Sequence, residues 1–252
     1  MKTPLIALAI SLATAGCSQK HLICHITFDD EASLVSPSVG PTGIVDKATF
    51  EPGVKGSALL VKASQPPVAI YQLPENFLSP RGCIEFWAKI SGERDTYGGC
   101  DPIFYQVFYA PGIESSISFT SNNGAALHGL VGRLIQHNRI TARGFGGSYP
   151  YREILGDDVH GWHHYAFTWN TEGVTDYTCK DGTPSQAVLF IDGKPYLDHN
   201  LEWGKDNAAA LIKFIANPAK LGFPSVNGAT ASDYLIDEFK IWDIDKIDFE
   251  IP

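Results

Sequence analysis

Residues 160–196 constrain the fold of this chain more than any other stretch. Trp162-His163-His164-Tyr165-Ala166-Phe167-Thr168-Trp169 is dense in aromatic and β-branched residues, contains no glycine or proline and stops at Asn170, so it reads as a strand. Ala187-Val188-Leu189-Phe190-Ile191 is a second strand, an unbroken apolar run closed by Asp192-Gly193, a hairpin-turn signal, with Pro195 just beyond. A chain of 252 residues is long enough for one sizeable core, and its 24 glycines and 16 prolines beside 12% aromatic residues tilt it toward many short strands, tight turns and few helices.

The other segments extend that pattern. Residues 21–28 are β-rich and end at Asp29-Asp30-Glu31, a Ser/Pro/Gly-rich connection with a short strand at 48–51 follows, and 56–61 and 68–73 are short strands. From 82 to 90 the chain alternates, with Cys83, Glu85, Trp87 and Lys89 on one side and Ile84, Phe86, Ala88 and Ile90 on the other, the second side being core. Runs at 103–109, 115–120, 127–131 and 133–141 are separated by turn signals at Pro111-Gly112 and Asn122-Asn123-Gly124. A short helix is expected at 208–216, an irregular segment from Leu221-Gly222-Phe223-Pro224, and a last strong strand at 234–242. Turns spaced about 8–12 residues apart are what an all-β sandwich shows. Trp87, Trp162, Trp169 and Trp242 are assigned to the core, and no repeat, heptad or linker to a second domain interrupts the series.

Three of these segments carry a resemblance. The Trp-His-His strand, the strand ending Phe190-Ile191-Asp192-Gly193-Lys194, and Ile236-Asp237-Glu238-Phe239-Lys240-Ile241-Trp242 together resemble laminin-G-like, pentraxin-type modules of the concanavalin A-like lectin and glucanase superfamily. The resemblance implies an all-β fold, a concanavalin A-like jelly-roll β-sandwich of two antiparallel sheets over residues 22–252. It also implies a structural Ca²⁺ held by acidic groups near the first and last strands. The matching positions are Asp29 or Asp30 and Asp237, with Asp29 and Asp237 the expected pair; hard oxygen ligands suit the ion, and hydrogen-bonded or solvated carboxylates are the plainer reading.

Met1-Lys2-Thr3-Pro4, an apolar stretch at 5–13 broken only by Ser11, and small residues beyond it read as a secretory signal, too short to span a hydrocarbon layer of about 30 Å. Thr14-Ala15-Gly16-Cys17 resembles the lipobox of bacterial lipoproteins, with Thr14 where leucine is usual. That resemblance makes 1–16 the signal, Cys17 the lipidated residue and 17–21 a tether, and Ser18 favours the outer membrane. Five cysteines in an exported chain leave one unpaired, and lipidation of Cys17 leaves an even number. Cys100 and Cys179 both sit in polar, Gly-rich excursions and are the preferred disulfide. Cys24 and Cys83 are either a buried pair or two small apolar residues. A net charge of −9 repels phosphate backbones and sets nucleic acid aside as a partner.

Catalytic signatures do not emerge. Retaining glycosidases of this fold carry Glu-x-Asp-x-x-Glu on one strand, which puts the acids on one face, and no such spacing occurs. Asp237 and Glu238 are adjacent and so should face opposite ways. Gly-x-Ser-x-Gly and His-Glu-x-x-His are absent, so the chain is read as no enzyme. His163 and His164 face opposite ways on a strand, so at most His160 with His164, or His163 with distant ligands, could share a zinc, and structural histidines are the reading the resemblance suggests. The Asp243-x-Asp245-x-x-Asp248 stretch lacks the turn glycine of an EF-hand and reads as a solvated terminal face.

Sugar binding needs exposed aromatic rings with polar neighbours. Arg143, Phe145, Tyr149 and Tyr151 in a Gly-rich segment, and Trp203 in another polar stretch, are the candidate carbohydrate-binding residues; aromatics covering a sandwich edge are the plainer alternative. The expected protein is a non-catalytic, cell-surface glycan-binding or adhesion protein, exported to the bacterial envelope and touching membrane only through its lipid anchor. A protein–protein scaffold and a glycan-active hydrolase or lyase are the alternatives.

Overall fold

The computed structural model describes residues 20–62, 65–90, 160–179, 184–195, 215–224 and 233–251, with 158, 182 and 212, together with the backbone of Gln19, of 103–109, 116–124, 127–136 and 140–141, and of Tyr196. Within them the strands are β1 (Leu22–Ile26), β2 (Gly43–Val45), β3 (Phe50–Pro52), β4 (Ser57–Val61), β5 (Ala69–Leu73), β6 (Arg81–Ile90), β7 (Ile103–Tyr109), β8 (Ser116–Gly124), β9 (Leu127–Gln136), β10 (Ile140–Thr141), β11 (His163–Asn170), β12 (Ala187–Ile191), β13 (Lys194–Tyr196), β14 (Ala219–Phe223) and β15 (Tyr234–Trp242). A five-residue helix, α1 (Glu31–Val35), follows β1, capped by Asp30 and Ser33 in a reciprocal capping box.

These strands make two antiparallel sheets. Sheet A has the order β13-β12-β11-β6-β15-β4-β3, with β1 also on β15; sheet B runs β10-β9-β8-β7-β14-β5-β2. The chain passes repeatedly between the sheets, and the result is a jelly-roll β-sandwich. The core lies between them. From sheet A come Leu59, Val61, Ile84, Phe86, Tyr165, Phe167, Trp169, Leu189, Ile236 and Ile241, and from sheet B Tyr71, Leu73, Leu221 and Phe223. Each fully buried side chain of this size contributes about 1.5–3 kcal/mol of transfer free energy.

The hairpin predicted from Asp192-Gly193 is present. Ile191 pairs with Lys194, and Asp192 and Gly193 have φ of 49° and 71°, the left-handed pair that a two-residue turn of this twist requires. Pro195 falls in β13, an edge strand, where a missing N–H breaks no ladder.

Several expectations change. The runs at 127–131 and 133–141 are one strand to Gln136 followed by the short β10. Residues 219–223, read as the start of an irregular segment, form a strand at the heart of sheet B between β7 and β5; Gly222 and the following Pro224 disguised it. Of the expected helix at 208–216, the described part holds one turn, with the Ala216 N–H donating to the Ile212 carbonyl at 3.2 Å. Trp169 alone of the four assigned tryptophans lies in the inter-sheet core. Trp242 lies on the outer face of sheet A, Trp162 is partly buried against Ala58, Leu60 and Leu235, and Trp87 is half-buried beside His164.

Candidate functional site

The most elaborate polar arrangement among the described residues lies on the outer face of sheet A. Alternation along β6 turns Cys83, Glu85 and Trp87 away from the core, and register sets Glu85 beside Ala166 and Lys240, and Trp87 beside His164 and Asp237. Glu85 is 4% exposed. Its Oε1 accepts the Trp242 indole N–H at 2.8 Å and the Lys246 ammonium at 3.1 Å, while Oε2 faces His164 Nε2 at 3.1 Å and Lys246 at 3.3 Å. Burial alone would raise this carboxyl, but the His164 hydrogen bond and the Lys246 charge outweigh it and hold the group down at about 2. The Lys246 ammonium also sits 4.7 Å from the Trp242 ring centre and 4.8 Å from that of Phe249.

The stretch expected to be a solvated terminal face is therefore half-buried packing. Asp245 accepts the Asn170 amide at 2.9 Å and the Thr175 N–H at 2.6 Å, and the Lys246 carbonyl accepts the Thr168 hydroxyl. Ile244, Ile247 and Phe249 pack on Cys83, Ala166, Val188, Phe190 and Trp242. The sequence signal available was Glu85, an acid set between Ile84 and Phe86 in the apolar middle of β6, where a buried carboxylate needs a partner.

The three histidines serve separate bonds. His163 turns both ring nitrogens toward acceptors, Asp192 Oδ2 and the Asp158 carbonyl, each at 2.8 Å. Asp192 Oδ1 accepts the His164 backbone N–H at 2.9 Å, so the Asp-Gly turn and the Trp-His-His strand are tied through one carboxylate. His160 bonds the Ile90 carbonyl at 3.2 Å. Among the described residues no three His, Cys, Asp or Glu side chains gather as a metal-binding group.

Asp29 and Asp237 both bind the β3–β4 turn. β15 carries a bulge between Asp237 and Lys240, and at that point its neighbour changes from β4 to β1. The β3–β4 turn fills the gap: Asp237 Oδ2 accepts the N–H groups of Val54 and Lys55 at 2.9 and 3.0 Å, and Asp29 Oδ1 accepts that of Ser57 at 3.2 Å. Both carboxylates lean on glycines, since a Cβ on Gly53 would lie 2.5 Å from Asp237 Oδ2 and one on Gly56 2.0 Å from Asp29 Oδ1. Burial pushes the Asp237 carboxyl up to about 6 against the pull of its N–H donors. Asp30 is committed to the α1 cap, where Oδ1 accepts the Ser33 N–H at 2.7 Å. Asp237 has three N–H partners in all, counting Glu238 at 2.8 Å.

The bulge also overturns the expectation that Asp237 and Glu238 face opposite ways. Glu238, at φ 50°, bonds His25 at 3.0 Å and meets Lys240 at 3.4 Å, both on the outer face that Asp237 shares. Cys24 and Cys83 are both free and cannot be a pair: the first lies in the inter-sheet core, the second on the outer face. Cys179 is buried, and its expected partner Cys100 lies outside the described residues, as do Cys17, Arg143, Phe145, Tyr149, Tyr151 and Trp203.

No protein-family model matches the chain, and no curated protein matches it. Solved structures do. Domain 4 of AbnA, an extracellular GH43 arabinanase from Geobacillus stearothermophilus solved with arabinotriose, aligns at 16% identity and TM-score 0.52 over 89% of this chain and 93% of that one. The binding domain of botulinum neurotoxin DC, in complex with rat synaptotagmin II, aligns at 14% and TM-score 0.60 over 90% of this chain and 49% of that one. A Trypanosoma rangeli sialidase aligns at 10% and TM-score 0.53 over 90% of this chain and 31% of that one. This chain thus spans half or less of the toxin and sialidase chains. At such identities the likeness is one of fold.

Proposed function

We propose that the protein is a non-catalytic, laminin-G-like carbohydrate-binding module of the bacterial cell surface, exported and lipid-anchored through Cys17. The observation that supports it is the near whole-length match to an arabinanase domain solved with arabinotriose, over 89% of this chain and 93% of that domain. Glu85, buried on the outer face, is held by Trp242, His164 and Lys246, which suits a packing role rather than proton transfer. Arg143, Phe145, Tyr149, Tyr151 and Trp203 are the proposed glycan contacts, by the stacking chemistry of aromatic loops. A structural Ca²⁺ at Asp29 and Asp237 belongs to the same proposal, supported by both carboxylates binding one turn.

A glycan-array screen of the chain from residue 18, run with calcium and again with chelator, tests this reading. Arabinan-type or other glycans should bind, and Tyr149→Ala with Tyr151→Ala should abolish binding. An array blank under both conditions refutes the lectin reading and favours a protein partner, for which the toxin domain solved with synaptotagmin is the precedent in this fold.

A further inference from the structure

Residues 243–251 cross the outer face of sheet A without joining it as a strand. Asp243 is fixed to His21 by a backbone bond of 3.0 Å and a side-chain bond of 2.8 Å. Beyond it, each described hydrogen bond to the sandwich involves a side chain: Asp245 with Asn170 and Thr175, the Lys246 carbonyl with Thr168, and the Lys246 ammonium with Glu85. Ile251 ends the crossing against the Asp192-Gly193 turn, where a Cβ on Gly193 would meet it at 3.2 Å. Phe249 covers His164 on the way, their ring centres 5.2 Å apart.

We propose that residues 244–251 form a strap that lifts as a unit while the two sheets remain packed, with the Lys246–Glu85 contact as its lock. A segment without ladder hydrogen bonds opens at lower free energy than the sheet beneath it. Lifting separates Lys246 from Glu85 and wets Phe249 and Ile247, and it leaves every backbone ladder of sheet A in place. The lock therefore decides how often the face is uncovered. Two thiols report the two kinds of opening. Cys83 lies under the strap and Cys24 between the sheets, both fully buried and free.

The test is alkylation of the full chain by iodoacetamide in native buffer, followed at each cysteine by peptide mass spectrometry. Burial pushes the Cys24 thiol up to about 12 and Cys83 higher, so each reacts only when its own cover opens. Cys83 should be alkylated at least about tenfold faster than Cys24, and Lys246→Met should speed Cys83 further and leave Cys24 unchanged. Equal rates in the unaltered protein overturn the proposal, because the outer face then opens only with global unfolding. Equal acceleration of both thiols by Lys246→Met overturns the lock. The comparison within the unaltered chain needs no variant to fold.

Discussion

On its inner face β6 contributes Ile84, Phe86 and Ala88 to an apolar core shared with sheet B; on its outer face the same strand contributes Cys83, Glu85 and Trp87 to a surface closed by nine residues of irregular chain. The inner face is held by area. Rings stack and meet edge to face there, as with Phe86 on Tyr165 at 5.5 Å and Phe223 on Phe239 at 5.0 Å. The outer face is held by a buried carboxylate whose three partners, Trp242, His164 and Lys246, must all be in place. Apolar burial fixes the register of the strands, because a slip of one residue turns the core set outward, and the charge cluster fixes where the irregular segment 244–251 lands.

That contrast can be broken first from the inside. Phe167→Ala removes a fully buried ring between the sheets and should cost about 3–5 kcal/mol in urea denaturation. Next comes acid. Glu85 has a folded value near 2 against an ordinary 4.5, so the stability it contributes, about 3 kcal/mol, is present above pH 4.5 and is lost as pH falls through the folded value. Glu85→Gln should flatten that part of the stability profile and leave the neutral-pH fold intact by circular dichroism. Asp237→Ala frees three N–H groups and should cost about 1–3 kcal/mol, with the loss confined to hydrogen-exchange protection of the β3–β4 turn and its strands. Smallest of all, Ile44→Ser on edge strand β2, 67% exposed, should change stability by less than about 0.5 kcal/mol.

The inner face was the legible one. Period-two alternation over 82–90, the aromatic run at 162–169 and the Asp-Gly turn each announce their structure locally, and the structure agrees with them. The outer face was not, because its logic is long-range: Glu85 finds Trp242 and Lys246 some 160 positions away, separations of 157 and 161, and no periodicity links them. Asp237 and Glu238 were misjudged for a related reason, since a bulge shifts the alternation by one residue and leaves no mark in composition. β14 was hidden by its own Gly222 and Pro224, residues that ordinarily argue against a central strand.

Native-state hydrogen exchange, resolved by residue, measures the difference between the two faces most directly. Amides of β6 and β11, such as those of Phe86 and Phe167, should exchange only through an opening as costly as global unfolding and as sensitive to denaturant, whereas amides of 244–251 should exchange through a smaller opening that denaturant barely affects. Strap and strand amides that share one free energy and one denaturant dependence would contradict the account, because the charged face would then be no more separable than the apolar one.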